Sequence, residues 1–581
     1  MASGAASSRP RGPSTSAASS SSPRPRGPVT SKGGAVDPVL RNALRYTISA
    51  KEYATLHKYV LSRSRVLRRA APSVATVERI VDGPVEEKQT SKGSPGRKPG
   101  GDPYNVRAVR DALRVFAGTA AAMKAYDVLT KKLSGRKDTG PKQPLHKSPT
   151  LRLSLSLSTI LLLYRILFRF LNRLRFHLLE DSARPFRQRN PRTAAALASP
   201  LAPAVGAGLA GLALGVYPAQ QMRITLAVMA MFRALEFGWN LCEGEGLIWG
   251  FRAGGRVKRE RPWWWGSWLL QPLAFGQLLH ACVFDRDCFP ATYGNFIFSR
   301  SAGYIQQKPS GYPSHIQWPA TYEIVDSLAQ MAKLNWPPFI SPTLFPGKET
   351  LPASLALVAP ITSSAHPIIT SLSCATLHPT DPSCLRTYLQ FWLGTFGPVV
   401  RFLLGIYGAF ALLSGGAARL YHAPLTALQR ILGRALRTST FITGAISTAW
   451  GTICLFQSWF PRHFAPKFRF FLGGFAAGLW AWVERRHGRS VFLYSARTSV
   501  DSLWKVGVKR RWWRGMAGGD VWVFALALMV TGVVYERDAK AIREGGWRRG
   551  MSWVRGEGFH DWSLEDEETE GEEVEGGEKE E

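Results

Sequence analysis

Cysteine is scarce in this chain, and three further absences limit where the protein can reside. Six cysteines among 581 residues do not make the disulfide framework of a small secreted protein. No Asn-x-Ser/Thr sequence occurs, no acid precedes Asp37, and the first residues lack the continuous apolar stretch of a cleaved secretory signal. We therefore expect a protein that is delivered from the cytosol. Residues 1–36, rich in serine, proline and arginine, are expected to be disordered.

Charge is missing from several long stretches, although 20% of all residues are charged. Residues 193–222, 263–284 and 438–461 hold no Asp, Glu, Lys or Arg. A run of about 20 predominantly apolar residues is long enough to cross the hydrocarbon core of a bilayer as a helix. This clustering of apolar residues excludes a chain that consists only of soluble domains. It predicts an all-α, polytopic membrane protein.

The basic excess is large and unevenly placed. The formal charge is +33, and the segment from Asp561 to the last residue contains twelve acids and one lysine, so the rest of the chain carries about +44. Such an excess occurs in nucleic-acid-binding proteins, but here most basic residues lie between apolar runs, as in 169–192 and 505–514. Anionic lipid headgroups select that placement. We predict a bilayer with anionic headgroups as partner, and no nucleic acid.

Two parts of the chain repeat one order of features. Residues 151–287 and 438–540 each begin with an apolar run, continue with a helix of small residues, and end with an apolar run followed by acid-Arg-Asp. The helices of small residues contain Gly206, Gly211, Gly473, Gly474 and Gly478. Small residues four apart let helices approach closely inside lipid, so these glycines predict helix packing within the chain, in a homo-oligomer or with other membrane proteins. We predict two repeated four-helix units, called here the first and second blocks.

Composition and periodicity divide the whole chain into eight segments. They are a basic Ser/Pro-rich tail (1–36), a basic amphipathic helix (37–72), a linker (73–105), a peripheral helix with a linker (106–150), the first block (151–287), a Pro-rich middle segment (288–437), the second block (438–540) and an acidic disordered tail (541–581). The predicted spans of the blocks are 151–170, 201–217, 224–241, 263–284, 438–460, 470–483, 491–506 and 521–535.

The topology depends on how often the middle segment crosses the membrane. The loop between the third and fourth helices is basic in both blocks, at 252–261 and 505–514, so the positive-inside rule predicts that both loops face the cytosolic side. The middle segment then crosses zero or two times, and residues 351–375 and 388–413 would form the two crossings. A single crossing would instead make the blocks an inverted repeat. The prolines leave these arrangements open.

Two pairs of opposite charges lie within the predicted spans. Arg233 and Glu236 are three residues apart, Arg497 and Asp501 are four apart, and each pair shares a helix face. Ionisable groups at membrane depth are costly and face a protein interior or an aqueous cavity. The pairs therefore indicate either a polar pathway between helices or internal ion pairs that fix helix rotation.

A cluster of cysteine and histidine lies in the middle segment. Cys374, His378 and Cys384 are of the types that bind zinc, but their spacing matches no standard zinc motif and the sequence shows no fourth ligand. We favour a rigid turn, pinned by Pro379 and its neighbours at a membrane boundary, and predict neither metal nor cofactor. No catalytic motif occurs in a supporting context, so we predict a protein that is not an enzyme.

These residues also carry a family resemblance. The stretch from Cys374 through Leu377-His378-Pro379 to Cys384, followed by Tyr388 and a long apolar run, resembles the signature of the transmembrane protein 135 family. Residues 471–504 are similar to the C-terminal repeat of that family, and residues 40–53 resemble the opening segment of its fungal-type members. The resemblance covers roughly 38–60 and 150–540. The family is similar to Tim-type translocase subunits and small peroxisomal membrane proteins, which share a four-helix unit.

The resemblance implies a multi-span protein of peroxisomes and mitochondria, tied to lipid handling and organelle dynamics, without an established catalytic residue. We therefore expect an integral membrane protein of one of these organelles that acts in lipid homeostasis or organelle organisation, including as a conduit. A solute or lipid transporter is the alternative, and it requires both charge pairs to face one cavity. A membrane-embedded acyltransferase is a further alternative. It requires an intramembrane histidine beside a polar partner, for which His280 is the one candidate.

Overall fold

The chain is helical wherever its structure is described. The computed structural model describes residues 47–59, 73–77, 104–134, 148–218, 221–251, 258–313, 317–348, 351–413 and 422–563. Within these ranges the chain forms helices and turns and no β-strand. Extended segments of the backbone pair with each other only at two isolated bridges. The all-α prediction is confirmed. The chain divides into two units, Met1–Arg110 and Asp111–Glu581.

The α-helices are labelled in chain order. They are α1 Ala50–Tyr59, α2 Tyr104–Ser134, α3 Pro149–Leu179, α4 Arg184–Arg189, α5 Pro191–Ala198, α6 Ala202–Gly208, α7 Gln221–Gly244, α8 Leu270–Phe284, α9 Ala291–Phe298, α10 Thr321–Lys333, α11 Ala359–Thr362, α12 Leu372–Leu377, α13 Cys384–Ala411, α14 Pro424–Trp459, α15 Arg469–Gly478, α16 Arg489–Lys509, α17 Gly519–Arg537 and α18 Gly545–Arg555. Two of them continue directly as 3₁₀-helices, α6 as Leu209–Val216 and α15 as Leu479–Glu484.

The first unit contains α1, which begins with a capping box. The Ser49 hydroxyl accepts a hydrogen bond from the Glu52 amide, and the Glu52 carboxylate accepts one from the Ser49 amide. Tyr53 of α1 packs on Val77, and both side chains are buried. The segment 37–72, which was predicted to be a basic helix, is thus helical at Ala50–Tyr59. This helix packs against another residue of the first unit. The rest of that segment and residues 1–36 lie outside the described residues.

Among the described residues, four helices are long and apolar enough to cross a membrane, namely α3, α13, α14 and α17. A fifth crossing results if α5 and Ala202–Val216, which meet at 84°, form one broken span. Lengths and compositions of this kind are consistent with an integral membrane protein. The predicted spans 224–241, 263–284, 470–483 and 491–506 overlap α7, α8, α15 and α16, which are shorter or more polar than the other four.

The middle segment has one helix of this kind, α13, and the predicted second span at 351–375 does not form. This stretch makes only short helices, α11 and α12 among them, whose side chains Leu355, Ile361 and Leu372 are buried in the largest hydrophobic cluster. Three prolines interrupt it, and each removes a backbone donor and crowds the preceding turn of a helix. Of the arrangements that the sequence leaves open, residues 351–413 thus contain one helix of spanning length rather than two.

Each small-residue helix packs on the first helix of its own block and on the last helix of the other block. Thus α6 contacts α3 and α17, and α15 contacts α14 and α8. A Cβ atom on Gly211 would lie 2.6 Å from the Cα atom of Ala525, and one on Gly474 would lie 2.8 Å from the Cα atom of Gly276. Because these neighbours are backbone atoms, the close approach of the helices requires glycine.

Two other glycines of the predicted packing faces point to the first helix of their own block. A Cβ atom on Gly206 would overlap the Leu171 side chain of α3, and one on Gly473 would lie 2.5 Å from the Thr452 hydroxyl of α14. These four glycines therefore pack helices of one chain against each other.

The third helices of the two blocks, α7 and α16, run antiparallel. Gln221 at the start of α7 donates a hydrogen bond to Asp501 in the second half of α16 (3.3 Å), whereas Arg489 at the start of α16 pairs with Glu236 in the second half of α7. The loops that follow these helices therefore leave opposite ends of the pair. The sidedness of 252–261 and 505–514 stays a prediction, and the antiparallel helices favour opposite sides over the same side.

The chain after the second block folds onto the bundle, although residues 541–581 were expected to form a disordered tail. Helix α18 packs its Met551 side chain with Phe237 of α7 and Val534 of α17. Arg165 of α3 is only 1% exposed and donates to the Trp553 carbonyl at 2.6 Å. Acidic composition begins only after this helix, and residues 564–581 lie outside the described part.

Candidate functional site

Three cysteines and one histidine converge at one point. Cys374, His378, Cys384 and Cys454 each offer one ligand atom, and these four atoms lie within 4.8 Å of one another. The sulfurs of Cys374 and Cys384 are 3.8 Å apart. The His378 Nε2 atom is 3.4 Å from the Cys384 sulfur and 3.3 Å from the Cys454 sulfur. All six cysteines are free thiols, so no disulfide occupies this position.

Local structure after α12 orients the histidine. The helix ends at Leu377, and the Nδ1 atom of His378 lies 2.7 Å from the carbonyl oxygen of Asp381. Because a carbonyl oxygen only accepts hydrogen bonds, this contact assigns the ring proton to Nδ1 and leaves the Nε2 lone pair facing the sulfurs. The Asp381 carboxylate accepts from the Ser383 amide, and the Ser383 hydroxyl caps α13, which begins with Cys384.

The environment of His378 favours a positive charge between the sulfurs. Burial acts to lower the pKa of His378, but hydrogen bonds to Cys374 and Cys384 outweigh burial and raise this pKa to about 10.

The fourth residue of this cluster, Cys454, was not identified from the sequence. It lies 70 positions after Cys384 in an uncharged stretch, where a cysteine is usually a small core residue. The antiparallel packing of α13 and α14 brings it beside His378: Tyr388, early in α13, hydrogen-bonds Thr448 of α14, and Tyr407, late in α13, hydrogen-bonds Thr438. The rarity of cysteine in this chain was the one available signal.

An apolar cavity lies between α8, α9, α14 and α15. Its volume is about 300 Å³, which is at the lower end of the range of ligand pockets. Most lining side chains are aliphatic or aromatic, including Leu279, Ile442, Ala445, Ala449 and Ile453. A cavity with this lining accepts an alkyl chain and excludes ions.

Three polar side chains also line this cavity, and two of them contact each other. The Gln271 amide nitrogen donates to the Ser495 hydroxyl at 3.0 Å, and Tyr293 lines the same cavity. Gln271 is fully buried, and its Oε1 atom has no hydrogen-bond partner among the described residues. A buried acceptor without a partner destabilises the folded state by about 1–3 kcal/mol. A ligand that donates a hydrogen bond to the Gln271 Oε1 atom would therefore remove this destabilisation.

The first predicted charge pair is present and belongs to a larger network. Arg233 donates to Glu236 at 3.1 Å and to Glu544 at 3.0 Å, and Glu236 also pairs with Arg489 of α16. The pair therefore connects α7 with the chain before α18 and with α16.

The second predicted pair is not formed. The Arg497 side chain donates to the backbone carbonyl of Leu493, and Asp501 pairs with Lys505 at 2.8 Å. Arg497 and Lys505 each lie one helical turn from Asp501. The hydrogen bond between Asp501 and Gln221 of α7 supports the orientation of the Asp501 side chain toward Lys505.

The two sets of charges do not share a cavity. Glu236 and the Gln221 partner of Asp501 are 15 residues apart along α7, which corresponds to about 22 Å. None of the four predicted residues lines the apolar cavity or the cavity beside the cysteine cluster. The arrangement that a transporter with paired charges requires is therefore absent from these two cavities.

His280, the candidate residue for acyl transfer, lies in α8. Its ring packs on Phe284, with ring centroids 4.9 Å apart, and no hydrogen bond of its side chain occurs within the part of the chain that the structure describes. A general base needs a polar partner within hydrogen-bonding distance.

Comparison with protein-family models, with curated proteins and with solved structures finds no match. The fold and the site define an α-helical protein with several apolar helices of membrane-spanning length, an apolar internal cavity and a buried Cys/His cluster.

Proposed function

We propose that this protein is an integral membrane protein that binds a lipid between its two blocks and acts, without catalysis, in lipid homeostasis or organelle organisation. The observation that carries the proposal is the apolar cavity with the unpaired Gln271 acceptor. The apolar lining fits an alkyl chain, and the acceptor fits a head group that donates a hydrogen bond. The ligand class is therefore a single-chain amphiphile with a hydroxyl or a protonated carboxyl head.

The position of the cavity supports a conduit or organiser rather than an enzyme. Its walls come from both blocks and from the segment between them, since Leu279, Ile297 and Ile442 all line it. A lipid bound there contacts helices of both blocks and of the segment between them, and adds apolar contacts between the blocks. Occupancy would then change the stability of the bundle through linkage between binding and folding.

We further propose that the two blocks are an inverted repeat. Three features support this: the reciprocal packing of α6 on α17 and α15 on α8, the antiparallel α7 and α16, and α13 as the one helix of spanning length in the described part of the middle segment. In a pseudo-twofold arrangement, equivalent helices of the two repeats run in opposite directions.

The resemblance to the transmembrane protein 135 family supports the peroxisomal or mitochondrial membrane as the location. Acid-poor basic loops beside apolar runs support contact with anionic headgroups. Organelle fractionation of cells that contain the tagged protein distinguishes the two organelles.

Photolabelling of the full chain in membranes tests the lipid proposal. A fatty acid carrying a diazirine on its chain should crosslink to peptides of α8 and α14, and unlabelled fatty acid should compete. Ala449→Phe fills the cavity and should abolish the label, whereas Ala409→Phe, on the exposed face of α13, should retain it. Equal labelling of the two variants, or labelling confined to other helices, would contradict the proposal.

A further inference from the structure

We infer that Cys374, His378, Cys384 and Cys454 bind one zinc ion in a closed Cys₃His site. With zinc–sulfur bonds of about 2.3 Å, two ligand sulfurs of a tetrahedral site lie about 3.8 Å apart, and a sulfur and a nitrogen lie about 3.5 Å apart. The sulfurs of Cys374 and Cys384 are 3.8 Å apart, and the two sulfur–nitrogen distances are 3.3 and 3.4 Å. These separations match edges of such a tetrahedron.

The outer contact of the histidine is that of a metal ligand. Histidines that bind a metal through one ring nitrogen commonly donate the other N–H to a carboxylate or a backbone carbonyl, which fixes the tautomer. The Nδ1 atom of His378 makes this contact with the Asp381 carbonyl at 2.7 Å. This contact is independent of the sulfur geometry, and it presents Nε2 to the same point as the three sulfurs.

The donor set selects the metal and its role. Three thiolates and one imidazole favour zinc over magnesium or calcium, which prefer oxygen ligands. Four protein ligands fill a tetrahedral site. The ion would therefore stabilise the fold and would have no open coordination position for a substrate.

The ion would join three separate parts of the chain. Cys374 belongs to the buried short helices of the middle segment, Cys384 begins α13, and Cys454 lies in α14 of the second block. A cavity of about 620 Å³ is lined by all three cysteines, and it gives the ion a route to the site. This role is separate from the proposed lipid function, since the apolar cavity does not include His378 or Cys374.

A disulfide is the competing use of these cysteines. An S–S bond is about 2.05 Å long, much shorter than the 3.8 Å between Cys374 and Cys384. A disulfide between Cys374 and Cys384 would also not explain why Cys454 and the Nε2 atom of His378 lie at the same point.

Metal analysis of the full chain, purified in detergent without chelator, tests the inference. Elemental mass spectrometry should find one zinc per chain. X-ray absorption at the zinc edge should show three sulfurs at about 2.3 Å and one nitrogen at about 2.0 Å. Protein without zinc, a coordination shell dominated by oxygen, or a disulfide between Cys374 and Cys384 would overturn the inference.

Two cysteine variants extend the test. Cys454→Ser removes one ligand and should lose the zinc, whereas Cys242→Ser changes a half-buried cysteine of α7 and should keep it. A strong chelator should lower the thermal midpoint of Cys242→Ser and of the unmodified chain. Equal zinc content in both variants would overturn the inference. If Cys454→Ser does not fold, Cys454→His, which preserves a zinc-binding ligand, should fold and retain the metal.

Discussion

Gly478 of the second block lies directly against Pro272 of the first block. A Cβ atom on Gly478 would overlap the Pro272 backbone and lie 2.7 Å from the carbonyl oxygen of Gln271. Gln271 also supplies the unpaired acceptor of the apolar cavity. The contact that joins the two blocks therefore also positions a wall of the proposed lipid site.

Gly478→Leu should separate α15 from α8. Overpacking of a core typically costs about 1–3 kcal/mol, and we expect the upper end because the obstructing atoms belong to the backbone. Gly394→Leu is the control, since Gly394 is exposed on α13 and a Cβ atom there meets nothing within 4 Å. Thermal unfolding in detergent checks the difference. Equal midpoints for the two variants would show that the close approach of α15 and α8 contributes nothing to stability.

The loops after α7 and α16 should lie on opposite sides of the membrane. The two helices are antiparallel, as the Gln221–Asp501 and Arg489–Glu236 contacts require. An epitope inserted between residues 254 and 255 and another inserted between residues 514 and 515 test this in two separate variants. In sealed organelles a protease should remove only one of the two epitopes, and detergent should expose both. Removal of both from intact organelles would exclude the inverted repeat.

Arg165→Leu should detach α18 from the bundle. The Arg165 guanidinium is buried, pairs with Asp111 at 2.6 Å and donates to the carbonyls of Trp553 and Val554. Removing one partner of a buried ion pair costs about 3–5 kcal/mol. Trypsin should then cleave within α18 in the variant and not in the unmodified chain. Arg173→Leu, at an exposed position of the same helix, should leave the cleavage pattern unchanged.

Stability should fall in acid through Glu243, in the last turn of α7. The Glu243 carboxylate accepts hydrogen bonds from Arg261 at 2.7 Å and from Trp249 at 3.0 Å. The hydrogen bond with Arg261 lowers the pKa of Glu243 below 4.5, and burial opposes this effect in part. Because the pKa is lower in the folded state, the stabilisation is fully present above the unfolded pKa and is lost as pH falls through the folded one.

The measurement is the thermal midpoint between about pH 6 and about pH 3.5, a range that covers the titration of glutamate. Glu243→Gln should show a smaller fall in midpoint over this range than the unmodified chain. A fall of the same size in both proteins would mean that Glu243 does not contribute to acid sensitivity.

The helical fold and the location of the apolar helices could be predicted from the sequence. The uncharged run 438–461 predicted the second part of α14, although the helix begins earlier, at Pro424. The side of the membrane could not be predicted, because both loops are basic and the positive-inside rule treats them alike. Only contacts between α7 and α16 reveal that the two helices run in opposite directions.

Partners of single side chains were harder to predict than helices. Asp501 has Arg497 one turn before it and Lys505 one turn after it, so helical spacing alone does not choose between them. The choice depends on Gln221 of another helix. Cys454 was missed for the same reason, since its neighbours His378 and Cys384 come from a distant part of the chain.

Native mass spectrometry of the full chain, released gently from detergent, tests the central claim that the bundle holds a lipid. The account predicts one tightly held amphiphile per chain, with a hydroxyl or carboxyl head, in the unmodified protein and in Ala409→Phe. It predicts that Ala449→Phe, folded but with its cavity filled, retains none. A protein that carries no such ligand, or an Ala449→Phe variant that carries as much as the unmodified chain, would contradict it.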